Sequence, residues 1–557
     1  MNPSPTATDF LIPDYLLQRL AEIGIHHIFG VPGDFIMPFF GRIAGSAVEH
    51  IGCCNELNAG YAADGYARVQ GAGAVVVTGG VGPLSLINAV AGAYAENVPV
   101  VVIAGGPGVA TFRRQPKIHH TIPGNFLAPV KMMAEVTAAA VLLDDAATAP
   151  AHIDAAIAAC LSTCKPVYIE IPMDIQKAAC ERPEPLALPE RISPRSPAQV
   201  RSLAGEIAAR IGNGERVVIC VGHEVERFQL QAQLTALIDK TGLPVASMMF
   251  GKAGYVECLD SCIGLYMGAI SPDEVRTFVE DADLVLFIGA HETDMNMGIG
   301  TARLQPERTV FLREGEAVFK DRTCSDIPLG DFLVELTRQS EAAGGMRFPA
   351  QPVQSFFYSR NEPFQAAPTD ALTSTRFYRR LVHFIQPGDV IAADTSAGIN
   401  SASFQLQQDA ISITTPYWAS MGMCFGAAVG ASFAPRLSNR VIALEGDGSL
   451  LMTIQELSTL ARYQKPTIVF VLNNKGYTVE RMIHDGAFND IPEWRYHKLP
   501  EVIPGCHSLQ VRTEGDLEHA LAAAGEHSGP GPLIIEVHLD ARDVSDLFQV
   551  FTRFFQP

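Results

Sequence analysis

No stretch of this 557-residue chain holds an apolar run near 20 residues, so no membrane-spanning helix is expected. The opening MNPSPTATDFLIPDYLL carries two early prolines and no basic cluster ahead of its apolar residues, unlike a secretory signal. Cysteine supplies no framework. The eleven are scattered and odd in number, with neither a disulfide pattern nor repeated C-x-x-C zinc ligands, and the adjacent Cys53-Cys54 read as core or turn thiols. Aromatics are few, and positive charge is short: 41 Lys and Arg against 60 Asp and Glu leave a net charge of −19. That balance disfavours binding to a nucleic-acid backbone or an anionic membrane. An acidic chain that binds an anion needs a local device such as a metal ion, a helix N-terminus or a backbone nest. The chain reads as a cytoplasmic globular protein, too long for one core and expected to hold about three domains.

The chemistry that is present gathers in Val441–Glu480. An apolar run, Val441–Leu444, reads as a buried strand, broken at Gly446-Asp447-Gly448. Leu450, Leu451, Ile454, Leu457 and Leu460 then recur at helical spacing, which predicts one helix ending before Pro466. A second strand over Thr467–Leu472 leads into Asn473-Asn474-Lys475-Gly476. This is a βαβ crossover whose polar residues sit at the carboxyl ends of two parallel strands, where open α/β sheets bind ligands. One carboxylate (Asp447), one amide (Asn474) and approachable glycine backbone suit Mg²⁺ shared with a phosphate. Either half alone is equally well a Gly-rich or an Asn turn.

Val75–Gly106 repeats the layout: strand, Gly80-Val81-Gly82, helix, Pro99, strand. The second glycine and the proline are 17 positions apart here (82 to 99) and 18 in the later copy (448 to 466). We read an internal duplication of a whole α/β domain. Val81 stands where the later copy has Asp447, so only one copy is equipped for a metal. One elongated ligand held by both copies follows.

The predicted fold is α/β in three domains, each a mostly parallel sheet flanked by helices: 1–180, 195–340 and 365–557. Proline-rich and irregular stretches at 181–199 and 341–369 read as linkers. In the first domain a helix is expected over Asn55–Val69, with Glu56 in its first turn. That carboxylate has an ordinary explanation in the helix dipole. An irregular run follows Gly106, and its His119-His120 pair is either a solvated turn or a proton-transfer pair. The middle domain, with Leu284–Gly289 as its clearest strand and Gly289-Ala290-His291 closing it, has a Rossmann-like pattern without G-x-G-x-x-G. A nicotinamide or flavin site is not supported there, and its role is expected to be structural. The C-terminal DVSDLFQVFTRFFQP is apolar at helical spacing and is either docked core or a lid.

Gly446-Asp447-Gly448 with Asn473-Asn474 resembles the cofactor motif of the thiamine-diphosphate enzymes. CCNELNAGYAADGYAR (53–68), the His119-His120 pair and GYTVERMIHDG (476–486) are similar to the 2-oxo acid decarboxylase branch, of pyruvate, indolepyruvate or branched-chain type, over essentially the full chain. The resemblance implies decarboxylation of a 2-oxo acid to an aldehyde and CO₂ through a thiamine-diphosphate ylid and enamine. A carboligase forming acyloins or acetohydroxy acids is the alternative. Carried onto this sequence, Asp447, Asn474 and the Gly476 carbonyl would hold Mg²⁺. Thr78, Thr395, Ala419, Met421, Gly446, Gly448, Ser449 and Tyr477 would join them around the cofactor. Glu56 would face the pyrimidine, and Asp34, His119, His120 and Glu480 would line the reacting end. Ile399, Val479 and Ile483 would form the substrate pocket. Ala397, Ile399 and Val479 depart from the pyruvate-specific pattern toward smaller side chains, so larger 2-oxo acids are expected. A homodimer at least, and a homotetramer as the fuller assembly, is implied, with sites at the subunit interface.

Overall fold

The computed structural model describes residues 10–186, 192, 197–320, 322–342 and 354–554. Most of the expected linkers' centres, the first nine residues and the last three lie outside the described residues.

The first sheet comprises β1 (His27–Gly30), β2 (Glu49–Gly52), β3 (Gly73–Val77), β4 (Val100–Gly106), β5 (Ala139–Leu142) and β6 (Val167–Pro172), all parallel, in the order β2-β1-β3-β4-β6-β5. The second comprises β7 (Val217–Val221), β8 (Val245–Met248), β9 (Cys262–Tyr266), β10 (Leu284–Ile288), β11 (Thr309–Arg313), β12 (Gly315–Phe319) and β13 (Arg322–Ile327). Its order is β13-β12-β11-β10-β7-β8-β9, with β12 and β13 antiparallel at one edge. The third comprises β14 (Val390–Ala393), β15 (Ile411–Ile413), β16 (Val441–Gly446), β17 (Ile468–Asn473), β18 (His507–Val511) and β19 (Leu533–His538), again all parallel. Its order is β15-β14-β16-β17-β19-β18.

Counted from its own first strand, the third sheet has the same order as the first. β3 and β4 correspond to β16 and β17, the two strand pairs that the spacing had matched. Their continuous apolar runs are buried on both faces, as parallel strands covered by helices require.

The chain forms two compact units. One holds the described part of residues 1–189 with 423–437 and 453–463; the other holds the rest, including the second and third sheets. In the first unit the helices Glu56–Gln70 and Met423–Ala431 meet backbone to backbone. A Cβ on Gly65 would lie 2.1 Å from the Ala427 carbonyl oxygen, and one on Gly430 would lie 1.8 Å from that of Ala62. The small-residue runs AGYAADGYA and FGAAVGA allow this approach and leave no room for a larger side chain.

Two expectations are corrected. The helix predicted from Leu450 to Leu460 is broken: one turn, Asp447–Leu450, is followed by a 3₁₀ turn, Ile454–Glu456, and a second helix, Leu457–Arg462. Thr453, at φ −134° and ψ 7°, makes the break. The break turns the buried Glu456 carboxylate onto the start of the Glu56 helix, where it accepts from Cys54 N (2.8 Å) and Asn58 Nδ2 (3.0 Å). The apolar spacing fits both segments, so periodicity alone joined them. The run after Gly106, read as irregular, contains the helix Val109–Arg114, whose first N–H is taken by the Asp174 carboxylate at 3.1 Å. Among the described residues no helix is long and apolar enough to cross a membrane.

Candidate active site

At the carboxyl ends of β14, β16 and β17 lies a cavity of about 340 Å³. Of the residues that the sequence assigned to the later copy, all but Ala397 line it: Thr395, Ile399, Ala419, Met421, Gly446, Asp447, Gly448, Ser449, Asn474, Gly476, Tyr477, Val479, Glu480 and Ile483. Thr395 opens the helix after β14, Asp447 follows β16, and Asn474 follows β17, so three neighbouring parallel strands deliver the polar residues to one edge. Three non-glycine residues beside the cavity have left-handed backbones: Thr395 at φ +36°, Ala419 at +54° and Lys475 at +61°. Such strain persists only where the surroundings impose it. At Ala419 the backbone N–H is tied to Thr415, by its carbonyl at 3.0 Å and its hydroxyl at 3.1 Å.

Asp447 is the centre of this edge. Its carboxylate is buried and accepts from Gly448 N (2.8 Å) and Gly476 N (3.1 Å), while Tyr496 donates its hydroxyl to the Asp447 carbonyl (3.1 Å). Burial pushes its pKa up to about 6, against the backbone N–H groups of Gly448, Gly476, Lys475 and Asn474 that favour the anion. The Asn474 side-chain oxygen is buried without a hydrogen-bond partner among the described residues. A buried carboxylate and an orphaned amide oxygen lining one cavity are oxygen donors that fit a hard divalent cation. The Gly448 N–H orients the Asp447 carboxylate. Behind the edge, Asn473 donates to the buried Glu536 at 2.7 Å, fixing the end of β17.

The remaining predicted residues belong to the first unit. Glu56 is half-buried at the start of its helix, whose N-cap Asn55 accepts from Asn58 N at 2.8 Å. Thr78, directly after β3, has a buried hydroxyl without a hydrogen-bond partner among the described residues. His119 and His120 converge on Asp34: His119 Nε2 lies 2.6 Å from one carboxylate oxygen and His120 Nε2 3.7 Å from the other. Phe35 stacks on His119 at 5.1 Å. Partial burial raises the Asp34 pKa, but the His119 hydrogen bond, the Phe35 N–H and the two imidazoles together hold it below the usual carboxylate range. The pair lies in an exposed turn whose two imidazoles are gathered on the Asp34 carboxylate. Its backbone passes so close to Gly80 (φ +71°) that a Cβ there would stand 1.7 Å from the His120 carbonyl oxygen.

Comparison with known proteins bears on both groups. Residues 12–126 match the family described as thiamine pyrophosphate enzyme, N-terminal TPP binding domain; 204–328 match its central domain, and 397–537 its C-terminal TPP binding domain. Over 96% of both chains, the sequence is 34% identical to a pyruvate decarboxylase of Aspergillus parasiticus. It is 35% identical to alpha-keto-acid decarboxylases of Mycolicibacterium paratuberculosis and Mycobacterium avium, over 98% of this chain and 97% of each relative. The chain belongs to the thiamine-diphosphate-dependent 2-oxo acid decarboxylases.

In this decarboxylase the cavity also draws on residues that the sequence did not single out. Met249 and Met295 come from loops of the second sheet, and Phe551 from the C-terminal helix Asp546–Thr552. Met249 directly follows β8, so the rule that ligands lie at carboxyl strand ends was its only signal. The C-terminal segment is both docked and wall-forming. Ala397, expected to widen the pocket, is instead fully buried in the apolar core of the third sheet and takes no part in the cavity wall.

Proposed function

We propose that this decarboxylase converts a 2-oxo acid larger than pyruvate into an aldehyde and CO₂, using thiamine diphosphate held by Mg²⁺. The observation that carries this reading is the single cavity in which Asp447 and the orphaned Asn474 oxygen meet an apolar wall of Ile399, Val479, Ile483 and Phe551. Thiamine diphosphate, when bound, supplies the electron sink for loss of CO₂. Asp447, Asn474 and the Gly476 carbonyl would hold the cation, with Thr395, Gly446, Gly448, Ser449 and Tyr477 around the diphosphate. Met421 and the Ala419 carbonyl would fix the ring system. Glu56 would hold the proton at the pyrimidine nitrogen, and the buried Thr78 hydroxyl offers a further donor. Asp34, His119, His120 and Glu480 would give and take protons at the substrate carbon and product oxygen. The apolar wall would favour a carboxylate that is losing its charge.

The working domain division is 1–180, 195–340 and 365–557, and the working assembly is a cytoplasmic homodimer or homotetramer. The exposed apolar side chains of Tyr417 and Trp418, directly before Ala419, support a subunit interface there. A panel of 2-oxo acids from pyruvate to phenylpyruvate and indolepyruvate tests the reading, with CO₂ and aldehyde measured together. Stoichiometric aldehyde with rising kcat/KM for the larger acids supports it; a dominant acyloin product would replace decarboxylation by carboligation. Removal of Mg²⁺, or Asp447→Ala, is expected to abolish cofactor uptake.

A further inference from the structure

The second sheet carries a side-chain cluster that the proposed reaction does not use. β7 lies between β8 and β10, so the chain leaves it in one direction first and the other later, and the strand order reverses there. The crevice outside the carboxyl ends at such a reversal is where open α/β sheets take ligands. Here that crevice holds His223 and Glu224, which follow β7, and His291, which follows β10. The two strands pair in parallel up to Val221 and Ile288, and Gly222 N and Glu224 N continue the ladder to the carbonyls of Ile288 and Gly289. The three side chains are thus set side by side by the sheet itself.

One ligand atom from each of the three lies within 4.8 Å of the others. His291 Nε2 stands 2.9 Å from Glu224 Oε1, and the two imidazole centroids are 4.6 Å apart at 82°. Donors that share a tetrahedral Zn²⁺ at ordinary bond lengths stand about 3.3 Å apart, so small side-chain rotations would close this set on an ion. Each member is held from outside the cluster. The second Glu224 oxygen accepts from Glu314 N at 2.8 Å, the His223 ring stacks on Phe250 at 3.8 Å, and the His291 carbonyl accepts from Asn296 Nδ2 at 2.8 Å. His223 and Glu224 are buried, while His291 keeps 27% of its side chain exposed and leaves a way in.

We propose that His223, Glu224 and His291 bind a borderline divalent transition ion of the Zn²⁺ class, at a site separate from the one formed by Asp447 and Asn474. Two imidazoles and one carboxylate suit such an ion better than Mg²⁺ or Ca²⁺, which take oxygen donors. The site also reaches the cavity. Phe250 N donates to Asn296 Oδ1 at 3.1 Å, and the residues just before each, Met249 and Met295, line the cavity wall. An ion here would pin two loops that shape the substrate space. The other histidine clusters are different in kind. In His497–Glu536–His538 the carboxylate already accepts from Asn473, His497 and the His497 N–H, and His538 contacts Gln510. Asp34–His119–His120 belongs to the proposed chemistry.

The test uses tag-free protein, stripped with a chelator and reloaded with thiamine diphosphate and Mg²⁺. Titration with Co²⁺ is expected to give the strong visible bands of four- or five-coordinate cobalt, and Zn²⁺ to displace it. His291→Ala and Glu224→Gln should each bind one ion fewer per chain than the parent, with affinity at this site down by at least about tenfold. His538→Ala should bind like the parent. Partly exposed His291 carries the test if Glu224→Gln does not fold, and the thermal midpoint of each stripped variant checks folding. Absence of the bands in the parent, or their persistence in folded His291→Ala, overturns the proposal whatever the decarboxylation panel shows.

Discussion

Replacing Gly80 by alanine should separate the placement of the His119-His120 pair from the holding of the cofactor. Gly80 adopts φ +71° and ψ −86°, a combination that costs a non-glycine residue about 1–3 kcal/mol. The added methyl would also stand 1.7 Å from the His120 carbonyl oxygen and 2.8 Å from its carbonyl carbon. Restoring an ordinary contact moves the histidine backbone by more than about 1.5 Å. The His119–Asp34 hydrogen bond, at 2.6 Å, does not survive such a shift at useful strength. A misplacement of about 1 Å in a reacting group costs on the order of 10²-fold, so kcat should fall about 100-fold. Cofactor affinity should fall much less than turnover, since Asp447 and Asn474 follow other strands than Gly80. Aldehyde formation coupled to alcohol dehydrogenase reads the rate, and fluorescence titration with thiamine diphosphate reads the binding. Gly124→Ala is the control: it also has a positive φ, +75°, but nothing within 4 Å of an added methyl. Parent-like turnover in Gly80→Ala, or an equal loss in Gly124→Ala, refutes the reasoning.

Glu56→Gln should still take up thiamine diphosphate with Mg²⁺ but lose about 10²–10⁴-fold in turnover, as removal of a proton-transfer group does; CO₂ release measured beside the binding titration checks it. Ile399→Trp should fill the cavity wall and lower kcat/KM for phenylpyruvate by at least about tenfold while sparing pyruvate, which competing-substrate kinetics would show. Buried Glu170 is the source of a pH effect on stability. Burial raises its pKa to about 7 from 4.5, despite a hydrogen bond from the Tyr168 hydroxyl at 2.8 Å. Below 4.5 the carboxyl is neutral whether folded or unfolded. Between 4.5 and 7 the unfolded chain ionises first, so a penalty on folding grows with pH to about 3 kcal/mol above pH 7. Glu170→Gln should therefore raise the thermal midpoint at pH 8 and leave it nearly unchanged near pH 4.5; an equal shift at both values would count against the buried-acid explanation.

The edge that carries Asp447 and Asn474 was legible because its signals are local. Strand, glycine turn, acid and asparagine amide follow one another along a single crossover, and parallel pairing then brings Asp447 and Asn474 together with no further information. The duplication was legible as a spacing, and the shared strand order bears it out. The break at Thr453 was not, because Leu450, Leu451, Ile454, Leu457 and Leu460 suit one helix or two. What separates the cases is the buried Glu456, whose partners Cys54 and Asn58 lie some 400 positions away. Met249 and Met295 were missed for a related reason: methionine at a loop has no pattern, and their loops belong to the second sheet, over 100 positions from most of the other lining residues. Ala397 was misplaced because one small residue in a helix can face a pocket or a core, and the sequence does not tell them apart.

The helix Glu56–Gln70 is packed, carbonyl against Cα, by residues 423–431, and its start is held by Glu456. Anyone exchanging domains between related enzymes to alter substrate range would naturally cut near residue 180 and treat the first copy as a cartridge. Such a cut takes away the two segments that complete its fold. It leaves Gly65 and Ala62 facing solvent, and Glu56 on an unsupported helix. The transferable part is discontinuous in the gene: a chimera keeps this helix in place only if 423–437 and 453–463 travel with the N-terminal piece. Inheritance of the first copy is tied to that of the third, so duplication here produced interdependence, not modularity.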